Sequence, residues 1–540
     1  MVFILLAALP ALAQEPPFIF RGGVVNAASY VANDLPGGGI AQGSIFAIFG
    51  RAIGPAAPVQ VSSFPLGPQL AGVSINLRQG SKQLSAIPLF VVAGQINAIL
   101  PSATPLGAVS LQVSYNGQAS NWVPVNVVDH APGVFTATGL GRGWTIFQNF
   151  LSATNQPLNS GTVSATPGQV GTLWLTGTGA ISGADGDTPP VGDLPYQIDI
   201  LVGGRPVTQR LYAGRAPGIS GLDQFVFALP NDVPTGCFVP VYVRVNGAVS
   251  NATTMAIMPQ AGSCADAHNP ISAALVAGGK VVDAMLSRGA IAGGQFLGVS
   301  LDITADEASV RAMEERTGQF AFDPFLSLPP RGTCTSYTLP GNAVESGFLA
   351  AGAGRALDLG NLSVTAGTTS LPLPSIGSGL YDATLGGGFP PQPAFFDKGS
   401  LSLAASGGVD GKPFSVPVSG GSTLQGADLT PFANIVRSAG VTVGWTAQAG
   451  VSALATGAVY DAPSNSSALF ECVSAAGASS MQIPDYVLAA LPPTRASAGQ
   501  SETHLFFGAL PSMTRTVTPD QVTIFAARQD VSAVPIQSIR

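Results

Sequence analysis

The sequence predicts an all-β protein made of tandem β sandwiches, followed by a further β-rich region with one short helix. Short apolar stretches alternate with turns throughout the chain, whose 540 residues include 67 Gly and 44 Pro. One hairpin pattern occurs twice, about a domain length apart. The hydrophobic content of 46% provides for several cores. Short apolar strands between Gly and Pro turns are typical of sandwiches.

The first copy of the hairpin is YNGQASNWVPVNV, at 115–127. The strand before its turn has apolar residues at every second position, Val109, Leu111 and Val113, which is the period of a strand with one buried face. Asn116-Gly117 then supplies two residues that tolerate the positive φ of a type I′ turn. The alternation resumes after the turn, so the pattern and the turn chemistry agree.

The second copy, VNGAVSNATTMAI at 245–257, repeats these features. Asn246-Gly247 forms its turn, and Val239, Val241 and Val243 share one face of the strand before it. Two upstream blocks also repeat at nearly the same offset, namely GSIFAIFG (43–50) with GTLWLTGTG (171–179) and QINAILP (95–101) with QFVFALP (224–230).

These ordered blocks predict two tandem immunoglobulin-like sandwiches, residues 22–130 and 131–264. Each is near the ~100-residue size of an immunoglobulin domain. The alternative is that unrelated sandwiches share the same sequence texture. The three blocks share nearly one spacing, which favours a true repeat over that alternative.

Residues 271–540 do not continue the repeat. We expect a β-rich region there, either undivided or formed of two sub-domains. A helix is predicted at 304–318. Thr304 and Glu307 form a capping box, acidic residues crowd the first turn, and Gly318 can end the helix. Elsewhere in this region short strands alternate with Gly-rich turns.

The chain begins with an apolar run, MVFILLAALPALA, which we interpret as a signal peptide at 1–13. Ala11-Leu12-Ala13 has the small-residue pattern of a cleavage site, and polar Gln14 follows it. The run is too short to span a membrane. The alternative to a signal peptide is a buried first strand. It lacks basic residues, which would be explained by a true start upstream of Met1. We expect a secreted or extracytoplasmic protein, in the periplasm or at the cell surface, with no membrane span in the mature chain.

Four cysteines in an exported chain predict two disulfides, for which three connectivities are possible. Cys237 and Cys264 are close in sequence, around the last strands of the second sandwich, so we pair them. Cys334 and Cys472 then pair with each other across the C-terminal half. That bond makes residues 357–418 either an insertion or one sheet of a larger sandwich.

The sequence contains no recognisable catalytic motif. His130, His268 and His504 are far apart, and no metal-binding spacing connects them. A Gly-x-Ser-x-Gly nucleophile motif and a complete phosphate-binding loop are also missing. We therefore predict no catalytic or cofactor-binding residues and no enzymatic activity.

One loop, GADGDTPPVGD, is a candidate calcium site. Asp185, Asp187 and Asp193 offer hard oxygen ligands at short spacing, which Ca²⁺ prefers. The loop matches neither an EF-hand nor a nonapeptide repeat. The alternative is an ordinary turn between strands. Calcium is the one cofactor that the sequence suggests.

The net charge of −7 argues against a nucleic-acid partner, and no basic stripe with interleaved aromatic residues is present in the sequence. A nucleic-acid surface would need Lys and Arg to neutralise phosphates. We therefore expect an extracellular protein or a polysaccharide as the partner.

The first half resembles an uncharacterised domain that is abundant in secreted acidobacterial proteins, usually at their C-terminal ends. The resemblance covers residues 22–264 and rests on several motifs, among them VVNAASY (24–30), GSIFAIFG (43–50), LFVVAGQINAILP (89–101), APGVF (131–135) and YAGRAPGISGLDQF (212–225). The halves of that domain are similar to the immunoglobulin-like domains called IPT/TIG. The resemblance implies this fold and export, and it implies no reaction.

Together these observations predict a secreted or cell-surface structural and interaction protein, such as an adhesion or matrix component. A carbohydrate-binding accessory protein is the second hypothesis, because similar sandwiches accompany polysaccharide enzymes. Such modules bind through exposed aromatic side chains, and four Trp residues offer few candidates. The third hypothesis is an enzyme of unrecognised type within residues 271–540.

Overall fold

The computed structural model of the chain describes residues 15–296, 299–315, 320–342, 354–388, 392–494 and 503–540. The predicted signal peptide at 1–13 lies outside these residues. Within them the fold is all-β, as the sequence predicts, with two short α-helices at Ile271–Ala277 (α1) and Asp485–Leu488 (α2). In the same ranges no helix is long and apolar enough to cross a membrane. Short 3₁₀ turns occur at Phe396–Lys398, Thr430–Phe432, Arg437–Ala439 and Ala462–Ser464.

The strands of the first sandwich are Phe18–Asn26 (β1), Ile40–Ala41 (β2), Ile45–Arg51 (β3), Val59–Gln60 (β4), Gln69–Leu70 (β5), Val73–Gln79 (β6), Lys82–Val92 (β7), Gln95–Ile99 (β8), Gly107–Tyr115 (β9), Gln118–Ala119 (β10) and Val123–Val128 (β11). They are hydrogen-bonded in the order β1-β3-β8-β7-β6-β9-β11-β2. Strand β7 has a bulge between Pro88 and Phe90, and it pairs with β6 before the bulge and mainly with β8 after it. The two halves of the sheet thereby enclose one apolar core.

The strands of the second sandwich are Gly133–Val134 (β12), Phe147–Asn149 (β13), Val170–Thr176 (β14), Ile198–Val202 (β15), Arg205–Pro206 (β16), Arg210–Arg215 (β17), Asp223–Ala228 (β18), Gly236–Val245 (β19), Ala248–Val249 (β20) and Thr253–Ile257 (β21). They form two sheets, one around β14 and β18 and one around β15 and β19. The pairing repeats that of the first sandwich, because β3 pairs with β8 as β14 does with β18, and β6 with β9 as β15 does with β19. Two short strands, β16 and β17, replace the long bent β7.

Both Asn-Gly turns have the geometry that the sequence predicts. The φ angles are 49° and 80° at Asn116 and Gly117, and 45° and 89° at Asn246 and Gly247. Positive φ at both central residues defines a type I′ turn. The apolar faces of the two hairpins point into two separate clusters of buried residues. The domain boundaries themselves stay predictions.

The two sandwiches pack against each other through polar and apolar contacts. Thr176 Oγ1 accepts a hydrogen bond from Ile45 N (2.9 Å) and donates one to Gly221 O (2.6 Å). Phe135 and Leu222 of the second sandwich pack on an apolar cluster of β1 and β3 in the first. The two sandwiches are therefore in direct contact, unlike domains that only a flexible linker connects.

The strands of the C-terminal region are Gly279–Phe296 (β22), Val299–Glu315 (β23), Thr333–Pro340 (β24), Arg355–Ala356 (β25), Leu362–Ala366 (β26), Thr369–Leu373 (β27), Ser375–Gly377 (β28), Leu380–Gly387 (β29), Leu401–Ala405 (β30), Phe414–Pro417 (β31), Gln425–Asp428 (β32), Asn434–Ile435 (β33), Val441–Thr446 (β34), Ala453–Asp461 (β35), Ser466–Val473 (β36), Ser480–Ile483 (β37), Thr503–Ala509 (β38), Thr514–Val517 (β39), Val522–Pro535 (β40) and Ser538–Ile539 (β41). A central sheet runs in the order β24-β36-β35-β38-β40-β22-β23-β29-β28. The sheet β27-β26-β30-β31 packs against β22, β23 and β40. This part of residues 357–418 is therefore one sheet of a larger sandwich, which is one of the two alternatives for that segment.

The predicted helix at 304–318 is wrong, because the described residues up to Glu315 belong to strand β23. Ala308, Val310 and Ala312 are fully buried at every second position, which is strand periodicity. Strand β23 pairs with β22 on one side and with β29 on the other. These two ladders override the local capping-box signal, since tertiary pairing outweighs local propensity. The predicted helix end at Gly318 lies outside the described residues.

Candidate functional site

The three aspartates of the candidate calcium loop are not brought together as one group of side-chain ligands. Asp185 accepts two hydrogen bonds from Ser102 of the first sandwich, from N at 2.7 Å and from Oγ at 2.6 Å. Asp193 accepts a hydrogen bond from Ala213 N at 2.8 Å. Across the described ranges, no group of three or more His, Cys, Asp or Glu side chains, Asp187 included, is arranged to hold a metal ion. Asp185 and Asp193 hold the loop in place through the backbone and hydroxyl of Ser102 and the backbone of Ala213.

Both predicted cysteine pairs are bonded in the structure. Cys237 at the start of β19 is joined to Cys264 beyond β21, at a sequence separation of 27. Cys334 and Cys472 lie directly opposite each other on β24 and β36, although 138 residues separate them in sequence. Persistent disulfides are typical of extracytoplasmic proteins.

The C-terminal region contains a buried cluster of charged side chains that the sequence analysis missed. Arg311 on β23 forms an ion pair with Asp323, and Asp283 lies directly opposite Arg311 on β22. Burial raises the pKa of Asp283 to about 6. Burial, together with the nearby Asp323 charge, raises the pKa of Glu471 on β36 to about 8. Glu471 is only 3% exposed, so a substrate has no access to it, and the cluster is assigned a structural role. The available signal was a lone acid within the apolar run SALFECV.

The first sandwich carries an open cleft of about 360 Å³, which we call the Trp122 cleft. Its polar side chains are Asn76 and Arg78 on β6 and Gln83 and Ser85 on β7, and Trp122 borders it. Arg78 is opposite Gln83, and Asn76 is opposite Ser85, in the β6–β7 ladder. The four polar residues therefore lie on the outer face of the sheet, because alternate residues of β6 point into the core.

Trp122 is the exposed aromatic residue that borders this polar face. It lies directly before β11, and 46% of its surface is exposed. The cleft offers the amides of Asn76 and Gln83, the hydroxyl of Ser85 and the guanidinium of Arg78, and its lining contains no carboxylate. These groups can bind many hydroxyl or oxyanion partners, while the indole offers a flat apolar surface.

The equivalent face of the second sandwich is covered by the C-terminal region. The repeated turn places Gln112 and Trp122 of the first copy at Tyr242 and Ala252 of the second. Both Tyr242 and Ala252 are buried there, and Tyr242 Oη lies 3.0 Å from Ser336 Oγ. Strand β19 is buried on both faces along most of its length, whereas β9 exposes its outer face. The apolar run CFVPVYV is the sequence signal for this difference.

A further cleft, of about 330 Å³, lies where both sandwiches and the C-terminal region meet. Its lining includes Asn33, His130 and Tyr337 and contains no Asp, Glu, Lys or Arg. His130 Nδ1 lies 2.7 Å from Thr178 O, and its Nε2 lies 3.0 Å from Asn246 Nδ2. Both ring nitrogens thus form hydrogen bonds within the protein, so we assign this histidine a structural role.

Comparison with known proteins identifies no family for the chain. No protein-family model and no curated protein matches it. A tetra-tandem repeat from the extending region of a large adhesion protein is similar over 92% of this chain and 96% of that chain, at 11% identity and a TM-score of 0.12. The SGBP-B protein of a Bacteroides ovatus mixed-linkage glucan utilization locus, in complex with a mixed-linkage heptasaccharide, is similar over 83% of each chain, at 12% identity and a TM-score of 0.12. Immunoglobulin domains 1–5 of Sidekick-1 are similar over 90% of this chain and 96% of that chain, at 9% identity and a TM-score of 0.12. Similarities this weak carry no argument about function.

Proposed function

We propose that this chain is a secreted or cell-surface structural and interaction protein that binds polysaccharide at the Trp122 cleft. The observation that carries the proposal is an exposed indole beside a face of amide, hydroxyl and guanidinium side chains. A sugar ring has an apolar C–H face that stacks on an indole, and its rim of hydroxyls bonds to polar side chains. A polysaccharide therefore matches both parts of the cleft.

The packing of the chain supports a structural role. Direct contacts join the first sandwich to the second, and Trp144 Nε1 joins the second to the C-terminal region through a hydrogen bond to Ala321 O (2.8 Å). Arg244 and Asp485 add an ion pair of 3.0 Å across the same boundary. Such a chain holds the Trp122 cleft in a fixed orientation relative to the other units, as an adhesion or matrix component requires.

The two disulfides support an extracytoplasmic location, as does the resemblance of residues 22–264 to a domain of secreted acidobacterial proteins. Glu471, whose pKa burial raises to about 8, is only 3% exposed and is therefore inaccessible to substrates. The proposal therefore assigns binding and no catalysis to this chain.

Affinity electrophoresis of the full chain in gels containing neutral or acidic polysaccharides tests the proposal. At least one polysaccharide should retard the protein, and Trp122→Ala should abolish most of that retardation. Phe150→Ala is a matched control, because Phe150 is 45% exposed but lies on the second sandwich. Migration unaffected by every polysaccharide, or equal retardation of Trp122→Ala and the unmodified chain, would contradict the proposal.

A further inference from the structure

The charge of the first sandwich is opposite to that of the whole chain. The chain has a net charge of −7, yet residues 22–130 contain Arg51, Arg78 and Lys82 against only Asp34 and Asp129. Two of these three cations are engaged elsewhere. Arg51 pairs with Glu15 at 2.8 Å, and Lys82 Nζ donates to a backbone carbonyl oxygen at 2.9 Å.

Arg78 is the one charged side chain that lines the Trp122 cleft. Its Nε donates to Gly80 O (3.3 Å), which anchors the guanidinium beside the β6–β7 turn. The terminal nitrogens of a guanidinium form a planar fork that matches a carboxylate, with two parallel hydrogen bonds. A cationic cleft whose lining contains no acidic residue is complementary to an anionic ligand.

We propose that the Trp122 cleft binds a carboxylated polysaccharide, in which Trp122 stacks on one sugar ring and Arg78 pairs with the carboxylate of a uronate residue. This inference rests on the proposed function and specifies its ligand class. It assigns a separate task to each side chain: Trp122 holds the sugar ring and Arg78 selects the acid.

The spacing of the strands suits a ligand that contacts both side chains. Strand β9 lies between β11, which follows Trp122, and β6, which carries Arg78. Neighbouring strands are about 4.8 Å apart, and Arg78 is level with Pro124, two residues beyond Trp122, so the two backbone positions are separated by roughly 12 Å. Both side chains can therefore contact neighbouring rings of one oligosaccharide.

The second sandwich shows what the same face looks like when protein covers it. Leu201 holds the position of Asn76, because they are opposite the equivalent residues Tyr242 and Gln112, and Ala252 holds the position of Trp122. Both residues pack against the C-terminal region there. Beside Trp122 the first copy has the polar Asn76 and Gln112 where the second copy has Leu201 and Tyr242, which favours a hydrated, hydroxyl-rich ligand over another protein domain.

The test compares acidic polysaccharides with their neutral counterparts. Alginate, polygalacturonate and hyaluronan are each used in native form and after chemical reduction of the carboxylates, which leaves the sugar rings and linkages in place. Affinity electrophoresis of the full chain should show that at least one native polymer binds about tenfold more tightly than its reduced form. Arg78→Gln should remove this preference, whereas Trp122→Ala should weaken binding to both forms. Arg21→Gln, at an exposed arginine outside the cleft, should change neither.

Each other outcome is decisive. Equal binding of native and reduced polymers, or binding to neutral polysaccharides alone, overturns the carboxylate inference and leaves the proposed function intact. A preference for the acid that persists in Arg78→Gln also overturns it. If no polysaccharide in the wider panel retards the protein, both the inference and the proposed function are wrong. Circular dichroism of each variant separates loss of binding from loss of folding.

Discussion

The side-chain amide of Asn121 holds the backbone of Ile19 through two hydrogen bonds, from Ile19 N to Oδ1 at 2.8 Å and from Nδ2 to Ile19 O at 3.1 Å. Asn251 makes the same two bonds with Val134 in the second sandwich, at 2.8 and 3.0 Å. The serine before each asparagine also accepts a 3.0 Å hydrogen bond from the neighbouring strand in both copies. The repeated Ser-Asn pair therefore ties the first strand of each sandwich to the opposite sheet.

Asn121→Ala and Asn251→Ala should each lower the free energy of unfolding by about 1–3 kcal/mol, because the first removes two hydrogen bonds and the second three, and backbone groups are left without a partner. Hydrogen exchange should accelerate at Ile19 in the first variant and at Val134 in the second. Gln118→Ala, at an exposed position of the same hairpin, is the control. Unchanged exchange at both backbone sites would show that the asparagines do not hold the first strands.

Gly117→Val and Gly247→Val should each destabilise their own hairpin by at least ~1 kcal/mol, because a β-branched residue is strained at positive φ. An added Cβ contacts nothing within 4 Å at either glycine, so strain is the only expected cost. Gly67→Val is the matched control, since Gly67 also has open space but no positive φ.

Hydrogen exchange of the full chain measures these glycine variants locally. Each substitution should accelerate exchange in its own hairpin and leave the other hairpin protected. Equal acceleration in both hairpins by either variant would mean that the two sandwiches unfold as one unit.

Replacing both cysteines of one disulfide by serine should lower the free energy of unfolding, and the loss should be greater for the disulfide that closes the longer loop. The chain-entropy model gives about 3–4 kcal/mol for Cys237–Cys264 and about 5 kcal/mol for Cys334–Cys472, whose separations are 27 and 138 residues. Urea unfolding of the two double variants measures the difference. A larger loss for the shorter loop, or no loss for either pair, would contradict this expectation.

Glu471 should make the C-terminal region less stable as the pH rises. Its pKa is about 8 in the folded chain and near the ordinary value of 4.5 when unfolded. Below 4.5 both states hold the proton and the stability is fully present. Between 4.5 and about 8 only the folded state holds it, so stability falls by up to about 1.4 kcal/mol per pH unit.

Glu471→Gln should flatten this pH dependence and raise stability at pH 8 relative to the unmodified chain. Asp232→Asn is the control, because its side chain is 74% exposed. Urea unfolding between pH 4 and 9 provides the measurement. An unchanged slope in Glu471→Gln would show that another group controls the pH response.

The sequence predicted the parts of the fold that depend on local chemistry. The Asn-Gly turns and the alternating valines before them are short-range signals, and they hold in both copies. The predicted helix at 304–318 is wrong because pairing with the neighbouring strands β22 and β29 determines the conformation of β23. Local propensity contains no information about such partners.

The candidate site could not be predicted from the sequence for a related reason. Trp122 follows the same repeated turn as Ala252, and only the packing of the C-terminal region on the second copy shows that one face is covered and the other open. Arg78 and Gln83 are 44 and 39 residues from Trp122 in sequence, and they meet it only because folding brings β6, β7 and β11 into one surface. Their meeting in one cleft depends on sheet order, which the sequence pattern does not contain.

Hydroxyl-radical footprinting of the full chain, with and without a polysaccharide that retards it, tests whether the polysaccharide binds at the Trp122 cleft. Trp122 reports on the cleft, and Phe150, which is equally exposed, serves as the reference within the same molecule. Saturating polysaccharide should lower the oxidation rate of Trp122 several-fold and leave that of Phe150 unchanged. A bound polysaccharide that leaves Trp122 oxidised at the rate of the free protein would contradict binding at this cleft.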